Sequence, residues 1–236
     1  MRLRPFWSYY GAKFNLASLY PSPTSNTVIE PFAGSAQYSL LYHNKDVRLY
    51  DLDENICMVW DYLIHAKESH IKKLTLDFNN IDDLKGYSKE EKILMGFWCG
   101  KSIAYPQKKP TIFAKSKGTA DYKARALQQV QYIRHWKITQ CSYEKIPNHN
   151  ATWFIDPPYK KGGHKYRCSS KNIDYAHLAQ WCTSRKGSII VCEMNNATWL
   201  PFVQLSLARS CYRKSHDNIE VVYTNVESPQ VSLGLI

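Results

Sequence analysis

Apolar positions along this chain alternate between two periods. "NTVIE" (26–30) is a short, largely apolar run that predicts a buried strand. "PFAGSAQYSLLYH" (31–43) predicts a tight turn entering a helix, and "DVRLYD" (46–51) a second strand ending in an acid. "ENICMVWDYLIHA" (54–66) sets Ile56, Val59, Trp60, Leu63 and Ile64 near helical spacing, so another helix follows. From residue 67 to about 137 the alternation stops. Two helical patterns, roughly 88–98 and 119–136, flank the Pro-containing loop "GKSIAYPQKKPTIFAKSKG" (100–118). Strands return as "KITQC", "TWFID", "GSIIVCE" and "IEVVYT", with a helix over "NIDYAHLAQWCTSR" (172–185) between the second and third. This order predicts an α/β sheet domain built from residues 1–66 and 137–236, interrupted by a mainly helical insertion over 67–136.

Charge adds a partner to this outline. The chain carries a formal charge of +11. From Lys101 to Lys145 there are ten Lys/Arg against two acids, Asp121 and Glu144, and a second basic run (Lys160, Lys161, Lys165, Arg167, Lys171) follows "DPPY". Such clustering is the electrostatic footprint of a polyanion. No run of about 18 apolar residues offers a membrane span, and the start, Met1 to Phe6, has two arginines but no apolar stretch, so a cytoplasmic protein is expected. Seven cysteines without a C-x-x-C pair, and eight unpaired histidines, predict neither a disulfide framework nor a metal site.

Candidate chemistry sits at two strand ends. A strand passing through Phe32-Ala33-Gly34 into a helix lets backbone run close to a ligand, because glycine adds no Cβ. Asp51, 17 residues after Gly34, ends the next strand at about the offset where a carboxylate accepts hydrogen bonds from ribose hydroxyls; a turn glycine with a solvated aspartate is the bland alternative. "TWFIDPPY" (152–159) changes that weighting. Asp156 falls at the C-terminal end of a strand, the edge where open α/β sheets bind ligands. Proline removes N–H donors and fixes φ, so the Pro157 carbonyl can stand beside Asp156 as a second acceptor for an NH₂ group. Tyr159 supplies a ring face for a flat base.

In that order and spacing the motifs resemble the S-adenosylmethionine-dependent DNA adenine-N6 methyltransferases of the Dam-like family. "YYGAK" (9–13), "EPFAGSA" (30–36), "YDLDEN" (50–55) and "DPPY" (156–159) carry the likeness. The resemblance implies a Rossmann-like S-adenosylmethionine-dependent methyltransferase sheet with an inserted, mainly helical DNA-recognition lobe. It implies methyl transfer from S-adenosylmethionine to the N6 amine of an adenine flipped out of duplex DNA, with Asp156, Pro157, Pro158 and Tyr159 catalytic. Tyr9, Lys13, Phe32, Ala33, Gly34, Asp51, Ser142, Tyr143 and Asp156 would bind the cofactor. Four positions depart from the family pattern: Ser142-Tyr143 stands for the usual Asp-Phe, Ala36 for a glycine, and Ala12 for another.

Duplex DNA is the expected partner, with no metal and no membrane, and the protein is expected as a monomer or weak dimer. Lys101, Lys108, Lys109, Lys115, Lys117, Arg125, Arg134, Lys160 and Lys161 are the candidate DNA contacts, with Gln128, Gln129 and Gln131 as further donors for base edges. The competing readings are an RNA adenine-N6 methyltransferase, an inactive DNA-binding relative, and transfer to cytosine N4.

Overall fold

The computed structural model describes residues 2–112, 114–115, 119–205 and 219–226. Seven strands among them form one sheet: β1 (Thr27–Glu30), β2 (Asp46–Asp51), β3 (Lys137–Gln140), β4 (Ala151–Ile155), β5 (Gly187–Met194), β6 (Val203–Gln204) and β7 (Glu220–Thr224). Their spatial order is β3-β2-β1-β4-β5-β7-β6. The first five run parallel and β7 pairs antiparallel to both β5 and β6. Every expected strand is present; the two-residue β6 is an addition too short to leave a periodic signal.

Strand order reverses between β1 and β4, and the crevice at such a reversal is where open α/β sheets bind ligands. The sheet is buried on both faces. Val28, Phe154, Ile190 and Val222 face one apolar cluster, while Ile29, Trp153, Ile155, Ile189 and Val191 face the other. Alternation of side chains along each strand places successive residues on opposite faces.

The helices are α1 (Gln37–Leu41), α2 (Glu54–His65), α3 (Glu68–Lys72), α4 (Lys89–Trp98), α5 (Thr119–Gln129) and α6 (Tyr175–Thr183). Helix α2 starts on Asp53, whose side chain accepts from the Asn55 amide. Helix α4 starts on a capping box, Ser88 with Glu91. Where one helix was expected over 119–136, α5 ends at Gln129 and a 3₁₀ turn continues through Val130–Ile133.

The insertion does not form its own core. Trp98, Ala126 and Ile133 belong to the same apolar cluster as Val28 and Trp60 of the sheet domain. Between the two lies the amino-terminal arm, and the insertion holds it by its backbone. Gln129 accepts the Arg4 amide through Oε1 (2.7 Å) and donates from Nε2 to the Arg4 carbonyl (2.8 Å). Arg125 donates to the Pro5 carbonyl (2.7 Å), Trp98 Nε1 to the Phe6 carbonyl (2.9 Å), and the Tyr10 amide to the Ile103 carbonyl (3.1 Å).

Three of the candidate DNA donors have partners within the protein. Arg134 donates to the carbonyls of Leu63, Ile64 and Ala66, closing the C-terminus of α2, where the last carbonyls have no partner within the helix. Arg125 and Gln129 are likewise engaged with the arm, so these three side chains serve as structural fasteners. Helix α2 ends next to Ala66, so Arg134→Ala should lower the unfolding free energy in urea by about 1.5–3 kcal/mol, the range for a hydrogen bond to a charged group. The exposed Lys109→Ala should stay within about 0.5 kcal/mol. Equal effects would remove the capping role.

Candidate active site

The turn after β1 is bonded to the end of β2. The Ala33 amide donates to the Tyr50 carbonyl (2.9 Å) and the Gly34 amide to Asp51 Oδ2 (3.0 Å). Asp51 Oδ1 accepts the Asp53 amide (2.9 Å), and Trp60 Nε1 donates to the Gly34 carbonyl (2.8 Å). Gly34 has φ +43°, and a Cβ there would come within 3.1 Å of the Tyr9 ring, so both conformation and space call for glycine. Ala36 holds φ 46°, ψ 46° just before α1. That is left-handed backbone, which costs a residue with a Cβ about 1–2 kcal/mol. The glycine absent from the sequence here is therefore absent where it would relieve strain.

Asp156 ends β4, the strand beside β1. It lines a cavity of about 330 Å³ together with Tyr9, Lys13, Phe32, Ala33, Gly34, Asp51, Ser142, Tyr143 and Pro158. Ten of the residues predicted for catalysis or cofactor binding therefore meet in one hollow. Pro157 and Tyr159 do not line it. Pro157 is buried, and the Tyr159 hydroxyl turns to β7, donating to Glu220 Oε1 at 2.5 Å. Pro158 is held by its carbonyl, which accepts the Tyr175 hydroxyl (2.6 Å). The chain can double back after the motif because Gly163 packs against Pro158, where a Cβ would lie 2.7 Å from backbone carbon.

Lys13 is the electrostatic centre. Its ammonium lies 3.2 Å from Asp156 Oδ1 and 3.8 Å from Glu220 Oε1, and donates to the Gly11 carbonyl (3.0 Å). It also sits 4.4 Å from the centre of the Tyr159 ring, a cation–π contact. Its side chain is only 8% exposed. Burial alone would lower the lysine pKa, but the two adjacent carboxylates hold it well above the usual lysine range. The carboxylates move too: burial pushes Asp156 and Glu220 up, and Lys13 pulls each part of the way back. Burial also pushes Asp51 up to about 6 and Glu30, whose carboxylate accepts the Ser39 amide (2.8 Å), up to about 8.

One wall of the cavity comes from the loop after "DPPY", including Tyr166, Arg167 and Cys168. Tyr166 donates its hydroxyl to the Tyr10 carbonyl (3.0 Å), and Arg167 reaches Asp53 Oδ1 (3.0 Å) and Glu54 Oε1 (3.5 Å). Sequence reasoning missed these ties, and it missed Glu220. The acid at the head of "EVVYTN" was visible, but nothing local shows that an antiparallel β7 carries its first residue to the edge where β4 ends.

Of the basic candidates, Lys101, Lys109, Lys160 and Lys161 are exposed outside the cavity, Lys108 pairs with Asp82 (2.6 Å), and Lys115 reaches Asn79 (3.4 Å). Lys117 lies outside the described residues. Among the described residues no cluster of His, Cys, Asp or Glu could hold a metal ion, and no helix is long and apolar enough to cross a membrane.

Removing the ammonium would strand two buried anions. Lys13→Met should cost about 3–5 kcal/mol of stability near neutral pH. The cost should shrink as pH falls, because carboxyls already pushed up by burial take on protons and cease to need a partner. Urea unfolding at pH 7 and pH 4.5 measures both; a pH-independent difference would count against the shared ion pair.

Compared with family models, residues 9–152 match the one described as D12 class N6 adenine-specific DNA methyltransferase. The match starts at Tyr9, near the end of the arm, takes in the Gly34 turn, Asp51 and residues 67–136, and ends four residues before Asp156. A comparison with curated proteins finds no match.

Proposed function

The chain belongs to the D12 class N6 adenine-specific DNA methyltransferase family, and from that premise we propose that it takes its methyl group from S-adenosylmethionine and delivers it at Asp156 to an adenine turned out of the duplex. The observation that carries this reading is that Asp156 shares one cavity with the Gly34 turn and Asp51, at the point where strand order reverses.

The residues lining the cavity suit this cofactor. Each Asp51 oxygen accepts one backbone amide, and a carboxylate oxygen can take a second hydrogen bond, so the group can also receive a ribose diol. The rings of Phe32 and Tyr143 lie 5.6 Å apart and offer apolar faces to a purine. Ser142, whose hydroxyl reaches Glu144 (3.4 Å), stands where the family's aspartate would meet the adenine amine, and Glu144 lines the same cavity. Tyr9, Lys13, Ala33 and Gly34 would border the methionine end. When bound, S-adenosylmethionine supplies an electrophilic methyl on a sulfonium.

The protein's part is orientation and charge. An exocyclic amine is a poor nucleophile while its lone pair is delocalised into the ring. Hydrogen bonds accepted by the Asp156 carboxylate and the Pro157 carbonyl favour the pyramidal nitrogen of the transition state over the planar ground state, which is differential stabilisation. Burial pushes the Asp156 carboxyl up, and Lys13 offsets part of that push in favour of the ionised form. Tyr159, outside the cavity lining but next to Pro158, would give the extruded base a ring to stack on, which offsets part of the few kcal/mol needed to unstack it. Exposed Lys101, Lys109, Lys160 and Lys161 supply phosphate contacts. Beside the cavity, an open groove lined by Tyr10, Tyr105, Gln107 and Lys165 continues the polar and aromatic surface from the site toward the insertion.

Labelled S-adenosylmethionine incubated with mixed genomic DNA should yield label in N6-methyladenine on nucleoside analysis. Asp156→Ala should lower turnover at least about 10²–10³-fold, as loss of a transition-state hydrogen-bonding group does, while cofactor still binds. Near-wild-type turnover in that variant would overturn the assignment. Because burial raises the Asp51 pKa to about 6, its carboxyl is ionised above that pH and gains a proton below it, losing acceptor capacity. Cofactor affinity should therefore weaken as pH falls through about 6, and Asp51→Asn should flatten the dependence in titration calorimetry. An unchanged slope would place the ribose elsewhere.

A further inference from the structure

We propose that Glu220 is a positioning residue for methyl transfer: its carboxylate fixes the Tyr159 hydroxyl and shares the Lys13 ammonium, and through them it sets the orientation and charge of Asp156. The proposal rests on the reading of Asp156 given above. Glu220 pairs with Met194 in the antiparallel ladder, so the first residue of β7 lies at the C-terminal edge of the parallel strands. One of its oxygens, Oε1, accepts both the Tyr159 hydroxyl (2.5 Å) and the Tyr20 hydroxyl (2.7 Å), with Lys13 at 3.8 Å. Its side chain is 11% exposed.

Holding a tyrosine hydroxyl does not by itself need a charge, since a neutral amide oxygen would accept as well and cost less to bury. What the charge adds is competition for Lys13. With a single anion the ammonium would be free to close on Asp156 and occupy its acceptor sites. With two anions it stays between them, 3.2 Å from one and 3.8 Å from the other. Asp156 then keeps capacity to accept the incoming amine, and Tyr159 is held at both its hydroxyl and its ring face.

The test compares Glu220→Ala, Glu220→Gln and Tyr20→Phe by steady-state kinetics with S-adenosylmethionine and a methylatable duplex, alongside melting temperature and cofactor binding. Glu220→Ala should lower kcat roughly 10–100-fold, with KM for S-adenosylmethionine changed less than about threefold, the pattern for an interaction that matters in the transition state. Glu220→Gln keeps an acceptor for both hydroxyls but not the charge that competes for Lys13, so it should recover only part of that rate. Tyr20→Phe, which removes one hydroxyl outside the cavity lining, should lower kcat several-fold at most.

The pH profile gives a readout that loosened packing would not move. The groups facing Glu220 are Lys13, Asp156, Tyr159, Tyr20, Tyr166 and Cys192; Asp156 also faces Glu30, Glu193 and Tyr166. Glu220→Gln removes one anion from this set, so the remaining carboxylate gains the whole of Lys13 and ionises at lower pH. The acid limb of kcat should shift to lower pH. Wild-type kcat in both Glu220 variants, or equal losses with an unmoved acid limb, would overturn the proposal. If Glu220→Ala does not fold, Glu220→Gln and the pH limb decide the question. Turnover retained in Asp156→Ala would overturn the underlying reading and this inference with it, whereas an inactive Asp156→Ala beside unaffected Glu220 variants would remove only the inference.

Discussion

One buried ammonium ties together parts of the chain that are far apart in sequence. Lys13 comes from the amino-terminal arm, Asp156 from the end of β4 and Glu220 from the start of β7, and their charges meet within 4 Å. An ammonium with both carboxylates ionised leaves a net negative charge in a site largely withdrawn from water. Hydrogen bonds support the cluster beyond the ion pairs: Lys13 donates to the Gly11 carbonyl, and Glu220 accepts from two tyrosine hydroxyls. Its charge balance sets the state of the carboxyl at the C-terminal end of β4, where the proposed function places the amine.

The arm reaches this position because the insertion grips it. Gln129, Arg125, Trp98 and Ile103 bond successive backbone groups from Arg4 to Tyr10, and Tyr9 and Lys13 follow directly. Backbone hydrogen bonding of this kind is indifferent to the arm's side chains, so it fixes register while leaving Tyr9 and Lys13 to face the cavity. The stretch between the two halves of the sheet domain therefore has a structural duty beside any contact with DNA. Lys101, Lys109, Lys160 and Lys161 stand exposed at loop positions.

The cofactor half of the site is built differently, from backbone. Amides of Gly34 and Asp53 converge on the Asp51 carboxylate, while the Trp60 indole holds the Gly34 carbonyl from α2. That scaffold is rigid where the Lys13 cluster is ionic. Its pH response is correspondingly simple, set by the desolvation of one carboxyl. The strained Ala36 marks where this chain tolerates a side chain that the turn would more easily do without.

The sequence alone determined six of the seven described strands, the family and the two strand-end acids. Each of these is written in local signals: alternation over four to eight residues, a turn glycine, an acid at a strand terminus, an unusual tetrapeptide. The tertiary structure decided which charges are free. Arg125, Arg134 and Gln129 read as donors for DNA, yet they bond carbonyls 65 or more residues away, and no periodicity encodes such a partner. Tyr159 reads as a stacking ring and is also a hydrogen-bond donor to Glu220, whose approach depends on the direction of β7. A carboxylate's type and position are fixed by the chain, but its partner is chosen by packing, because burial costs a charge so much that the fold must bring it a counter-charge or hydrogen bonds from wherever they lie.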